Sequence, residues 1–277
     1  YKLEPLVLQD KIVYNQIVGK TILHCDLNNF YASVEQKLHP EYDGMPLAVC
    51  GDPKARHGII LAKNQLAKQA GVKTAETIWE AKQKCPELVL VKPHFDEYVK
   101  YSKQVFEIYT SFTDRVESFG IDECWLDVTG SEKLFGDGKT IADTIRQTVK
   151  EKTGLTISVG VSFTKTLAKL GSDLKKPDAT TVLDVENYMQ IIGDMSPSEM
   201  IMIGRHTAEK LEKLNIRTIR DLANADRTAL RYQFGVIGDA LVNAAQGVET
   251  EEVKRYYDVR IPKSISKGTT TPRNIQT

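Results

Sequence analysis

Residues 21–25, TILHC, form a short apolar and β-branched run, and residues 115–129 hold two more such runs broken at GIDE. These patterns predict a strand and, later, a hairpin. Between them, FDEYVKYSKQVFEIYTSF places Phe95, Tyr98, Val105, Phe106, Tyr109 and Phe112 on one helical stripe. After the hairpin, TIADTIRQTVKEKTG repeats Ile141, Ile145 and Val149 at helical spacing and stops at Gly154, a C-terminal cap. LTISVGV then alternates, with Leu155, Ile157, Val159 and Val161 on one face. The order β-α-β-β-α-β is that of a ferredoxin-like split βαβ unit, with residues 27–94 inserted after the first strand. In that arrangement the first two strands run parallel with the third antiparallel between them. The end of the first strand and the turn between the second and third therefore share one sheet edge.

Charged residues make that edge informative. Asp26 ends TILHCD, and Asp122 and Glu123 sit at the break in SFGIDECWLDV. Three carboxylates far apart in sequence but gathered at one edge are what a two-metal phosphoryl-transfer site needs. The same residues also fit a solvated hairpin turn for the pair, and a turn former or helix N-cap for Asp26.

TILHCDLNNFYASVEQ, SFGIDECWLDVTG and VGVSFTKTLAKLGSDLKKPDATTVL, in that order, resemble the diagnostic segments of the Y-family translesion DNA polymerases of the bacterial DinB/UmuC-like, ImpB/MucB/SamB type. The likeness runs from about Gly19 to Arg273. It implies an α+β fold: a ferredoxin-like palm from 1–26 and 95–185, with residues 1–18 as an N-terminal extension, and small fingers at 27–94. An all-helical thumb with helix-hairpin-helix elements would follow at 186–250. Residues 251–277 would be a charged linker and the start of a little-finger domain that is largely missing.

The resemblance also implies roles. Asp26, Asp122 and Glu123 would be the catalytic acids and, with the Leu27 carbonyl, the ligands of two Mg²⁺ ions, Mn²⁺ being a substitute. Tyr31, five residues beyond Asp26, falls at the steric-gate position that excludes a 2′-hydroxyl, and Phe30 would pack beside it; an ordinary amphipathic helix start with two core aromatics explains the same letters. Gln65 and Lys68 stand where many relatives carry a Tyr and an Arg on the triphosphate. Lys cannot offer the planar fork of Arg. Lys176, before Pro177, matches a second phosphate-binding lysine, with Asp173 and Lys169 on its helical face. Gly204, Gly235 and Gly238 belong to two segments that look like helix-hairpin-helix loops, which bind the DNA backbone without reading sequence. Met202 stands where the family usually has Gly.

The activity so implied is low-fidelity, template-directed addition of deoxynucleotides to a primer 3′-hydroxyl, tolerant of damaged templates. The partners would be primer-template DNA, deoxynucleoside triphosphates and a sliding clamp reached through the missing C-terminal region. A monomer in the cytoplasm is expected. Two other readings fit part of the pattern: a catalytically weak or silent DNA-binding accessory subunit, and a palm-fold nucleotidyl cyclase, which would need no helix-hairpin-helix unit.

Composition changes this picture little. Lys plus Arg is 37 and Asp plus Glu is 37, for a net charge of zero, which predicts weak, salt-sensitive DNA binding but does not exclude local basic stripes. Cys25, Cys50, Cys85 and Cys124 form no CxxC pair and read as reduced thiols. The five histidines show no ligand spacing. No stretch approaches the roughly 20 apolar residues of a membrane span, and no secretory signal opens the chain.

Overall fold

The computed structural model describes residues 19–52, 58–249, 251–258 and 264–268. A five-stranded sheet organises it, built from β1 (Ile22–Leu27), β5 (Val116–Ser118), β6 (Glu123–Asp127), β7 (Ile157–Ser162) and β8 (Thr180–Leu183) in the order β5-β6-β1-β7-β8. β1 runs antiparallel to both β6 and β7, and Asp26 lies in register with Glu123. The four strands expected from the sequence thus have the ferredoxin-like order. β8 adds a fifth, parallel to β7.

Both faces of this sheet are covered. Leu23, Cys25 and Leu27 pack with Tyr98, Val105 and Tyr109 of α4 (Phe95–Thr110) and with Ile141, Ile145 and Val149 of α6 (Gly138–Thr153). The even-numbered residues of β1 face α7 (Lys165–Leu174), where Ile22 packs with Ala168 and His24 meets Ser172. Burial from both sides is why β1 reads as a continuous apolar run. Gly154 caps α6 at φ 69°, as its sequence position suggests. Phe95, expected on the buried stripe of α4, is instead 52% exposed in the first turn.

α7 approaches the sheet unusually closely. Gly160 of β7 lies beneath it, and a Cβ there would fall 1.9 Å from the carbonyl oxygen of Ala168. A Cβ on Gly171 would lie 3.3 Å from the Gly160 Cα. Two facing glycines let helix and strand touch backbone to backbone.

After β1 come α1 (Phe30–Leu38) and a second sheet, β2 (Leu47–Cys50), β3 (Ile60–Lys63) and β4 (Val89–Val91), ordered β3-β2-β4. α2 (Gln65–Gln69) and α3 (Ile78–Lys84) complete this unit, α3 opening on a full capping box between Thr77 and Glu80. Its strands, of three or four residues, are too short to show the alternation by which strands are recognised.

α5 (Glu132–Phe135) lies between β6 and α6. Beyond β8 the chain is helical: α8 (Tyr188–Ile192), α9 (Arg205–Lys213), α10 (Ile219–Ala223), α11 (Arg227–Phe234) and α12 (Val236–Ala245). Leu211, Leu222, Leu230 and Val242 share a core with Phe163, Leu167 and Leu170, so this unit is seated on α7. The segment after it, read from sequence as a charged linker, is held against the sheet over its described residues. Val253 is buried beside Trp125 and Ala168, and the Tyr256 N–H donates to the Asp114 carbonyl at 3.1 Å. Among the described residues no helix is long and apolar enough to cross a membrane.

Candidate active site at the sheet edge

The antiparallel register brings Asp26, at the end of β1, beside Glu123, which opens β6. Asp122 precedes Glu123, and its carbonyl accepts from the Leu27 N–H at 3.1 Å, tying the turn to the end of β1. These residues line a cleft of about 410 Å³ together with Phe30 and Tyr31 of α1, Lys63 of β3, and Thr74.

Two lysines from the α7 region neutralise the acids. Lys176 Nζ lies 2.6 Å from Asp26 Oδ2 and 2.8 Å from Asp173 Oδ1, so Asp173 orients Lys176. Lys169 Nζ is paired with Glu123 Oε2. Behind Glu123 sits fully buried His24. Its Nε2 is 3.0 Å from Glu123 Oε2, and its Nδ1 is 2.8 Å from the Ser172 hydroxyl, which donates to the Lys169 carbonyl.

The three carboxylates titrate differently. Burial raises Asp26, with Lys176 opposing it. Asp122 is pushed up to about 6, first by burial and then by the charges of Asp26 and Glu123. Burial would raise Glu123 too, but His24 and Lys169 outweigh it and hold it down at about 2. Like charges crowded at one edge shift pKa values in this way, and a cation is what relieves them. The oxygen-only donor set suits hard divalent ions. Asp26 and Glu123 are turned to their lysines, and the three side chains do not already converge as one ligand cluster.

Tyr31 forms one wall. Its ring stacks on Tyr98 at 4.3 Å with the planes 12° apart, Phe95 stands edge-on to it at 6.0 Å, and the Asp122 charge adds to burial in raising its pKa. Phe30 is buried behind it, with ring centroids 5.5 Å apart. Gln65 and Lys68 stand exposed on α2 and do not line the cleft. Lys63 does, its Nζ donating to Thr74 Oγ1 at 3.0 Å. In sequence Lys63 reads, with Lys68 and Lys73, as a lysine on a solvated face, and His24 carries no site signal. The signal for Lys63 was its place at the end of the four-residue strand ILAK.

In the helical unit, Gly204 caps α9 and Gly235 joins α11 to α12 at φ 65°; a Cβ at either would meet nothing. Both can bring backbone amides close to a phosphate. Gly238 has a different task. It is buried, and a Cβ there would lie 2.5 Å from the Leu230 carbonyl, so it serves the packing of α12 on α11. Met202 sits at φ 72° and is 80% exposed, a left-handed position that explains a preference for glycine. Met202→Gly is expected to stabilise the protein by about 1 kcal/mol, read as a rise in the urea midpoint with unchanged slope.

The sequence matches the impB/mucB/samB family over residues 25–173. It is 51% identical to the DNA polymerase IV of Acetivibrio thermocellus over 92% of this chain and 64% of that protein. The chain therefore spans about 64% of the length of that relative. In three dimensions it resembles DinB from Sulfolobus solfataricus, with TM-score 0.77, 29% identity and coverage of 85% of this chain and 69% of that one. An insertion ternary complex of Dbh DNA polymerase gives TM-score 0.77 at 30% identity, covering 84% of this chain and 69% of the other.

Proposed function

Because the chain belongs to the impB/mucB/samB family, the Y-family DNA polymerases, we propose that it carries the catalytic part of a template-directed translesion DNA polymerase. The observation that carries this reading is that Asp26, Asp122 and Glu123 line one cleft beside Tyr31. The reaction joins the primer 3′-oxygen to the α-phosphorus of a deoxynucleoside triphosphate as pyrophosphate leaves.

Asp26, Asp122, Glu123 and the Leu27 carbonyl would hold two divalent ions, Mg²⁺ by preference. When bound, such ions supply a lowered pKa at the attacking hydroxyl and neutralisation of phosphate charge. The chain's own groups do the positioning. Lys176 exchanges Asp26 for a triphosphate oxygen as nucleotide enters, with Asp173 keeping its ammonium aimed at the edge. Lys169 and His24 fix the Glu123 carboxylate from behind. Lys63, rather than the exposed Gln65 and Lys68, offers its charge to the triphosphate from the β3 side of the cleft. Gly204 and Gly235 present amides to the duplex backbone. Small fingers leave the nascent pair loosely enclosed, which underlies low fidelity and tolerance of damaged templates.

Primer extension with Mg²⁺ and each deoxynucleotide on a primed template tests this. Templated, metal-dependent addition is expected; DNA binding without addition would favour an accessory subunit. Tyr31 blocks the sugar edge, so Tyr31→Ala is expected to raise ribonucleotide incorporation relative to deoxynucleotide at least about tenfold, the scale of a steric discrimination of 1–3 kcal/mol. An unchanged sugar ratio removes Tyr31 from the gate.

Asp122 predicts a pH dependence. With its pKa at about 6 in the metal-free protein, a proton competes with the cation below that pH. Affinity for a divalent ion should rise with pH up to about 6 and level off above it. For stability the sign is opposite. Asp122 titrates higher in the folded chain than its ordinary 3.8, so its contribution is full below about 4 and lost as pH rises through about 6. Calorimetric titration with Mn²⁺ at several pH values checks the first statement, and Asp122→Asn should flatten the step.

A further inference from the structure

We propose that Glu35, His39 and His94 form a binding site for one transition-metal ion of the Zn²⁺ class, separate from the carboxylate cleft. Each offers one ligand atom, and the three atoms lie within 4.8 Å of one another. Two imidazoles and one carboxylate suit a borderline ion, whereas Mg²⁺ and Ca²⁺ prefer oxygen donors alone. Three protein ligands leave the fourth tetrahedral position to water.

The surroundings fit a binding site. Glu35, on α1, is fully buried, while the side chains of His39 and His94 are 38% and 52% exposed, so an ion enters from solvent and meets a buried carboxylate at the bottom. His39 caps the C-terminus of α1 and His94 the N-terminus of α4, so all three ligands stand on or next to helices. Outer partners are in place. Glu41 Oε1 lies 3.2 Å from His39 Nδ1, and the tautomer that donates to it keeps a lone pair on Nε2. The Tyr98 hydroxyl donates to Glu35 Oε1 and fixes that carboxylate. Tyr98 is also the ring on which Tyr31 stacks, so the ion would sit directly behind that wall of the cleft.

Without metal, Glu35 is served by Tyr98 and by His94, whose Nδ1 is 3.0 Å from both carboxylate oxygens. His39 takes no part in this. The His39 backbone N–H donates to the Glu35 carbonyl at 2.9 Å and its ring stands 6.2 Å from that of His94, so its imidazole is held beside the carboxylate without bonding to it, where an ion would engage all three.

The test is titration of chelator-treated protein with Co²⁺, followed by its visible ligand-field absorption, and displacement by Zn²⁺. It is run on the wild type and on Asp122→Ala/Glu123→Ala, which removes ions held by the carboxylate cleft. One tight equivalent with a low-coordinate spectrum is expected to survive in that double variant. Adding His39→Ala should weaken it more than about 100-fold, beyond the loss from changing an outer partner, and Glu41→Gln should cost about 10-fold or more. Circular dichroism should show the same metal-free fold throughout. Absence of the tight equivalent, or its persistence in His39→Ala, overturns the proposal. Primer extension is not the readout, so failure here is distinct from failure of the polymerase reading.

Discussion

Asp122→Ala is expected to slow nucleotide addition at least about a thousandfold, roughly 4 kcal/mol of transition-state stabilisation, while primer-template affinity changes no more than a few-fold. Among the described residues Asp122 is the carboxylate of the three without a salt bridge to lysine or histidine, since Asp26 is engaged by Lys176 and Glu123 by Lys169 and His24. Its pKa of about 6 reports repulsion from its two neighbours as well as burial. Alanine removes that repulsion, so the metal-free protein should be at least as stable as the wild type above pH 6. A variant that is inactive, folded and able to bind DNA has lost chemistry and nothing else. Single-turnover primer extension beside a DNA-binding titration separates these quantities. Addition within tenfold of wild type would remove Asp122 from the reaction.

Gly160→Ala is expected to destabilise the protein by about 3 kcal/mol or more, a fall in Tm of about 6–12 °C for a chain of this size. The new Cβ would meet the Ala168 carbonyl at 1.9 Å and the Ser172 amide at 2.5 Å, both backbone atoms that no rotamer change can move. α7 must lift off β7. The helix carries Lys169 and Asp173 and leads into Lys176, so protein that remains folded should also bind nucleotide more weakly. Gly130→Ala is the control, because a Cβ there meets nothing, and its Tm should stay within about 1 °C of wild type, as surface changes usually do. Equal Tm values for the two variants would mean that α7 does not rest on β7 as described.

What could be read from the sequence follows from how each element is buried. β1, β6, α4, α6 and β7 each bury a face of several residues, so their patterns are visible, and β5, only three residues long, is read from its place beside β6 across the GIDE break; their order fixes the edge where Asp26, Asp122 and Glu123 meet. The second sheet escaped because its strands are three or four residues long and two of them, β3 and β4, bury only one residue each. Without β3 the place of Lys63 in the cleft is not legible in sequence, and the family resemblance points to Gln65 and Lys68 on the helix that follows. Gly238 looked like Gly235 in sequence; only the closeness of the Leu230 carbonyl separates a packing glycine from an exposed one. Glu35, His39 and His94 span 60 positions of the chain, and only the pairing of α1 with the start of α4 brings them together. Spacing rules detect ligands on one helix or loop and are blind to such a set.

The segment after the helical unit, residues 249 and 251–258, has a mechanical consequence. The chain leaves the sheet at β8, builds the helical unit, and returns to the base of α7. There Glu249 accepts from the Thr166 N–H at 3.0 Å, Lys165 joins Glu117 at 3.0 Å and Glu251 at 3.2 Å, and Val253 is buried. The unit is therefore held twice, by its core against α7 and by this returning segment. A part both seated and tied back is braced against tilting off the sheet. Replacing Glu249 and Glu251 would remove the tie and leave the seat alone to carry it.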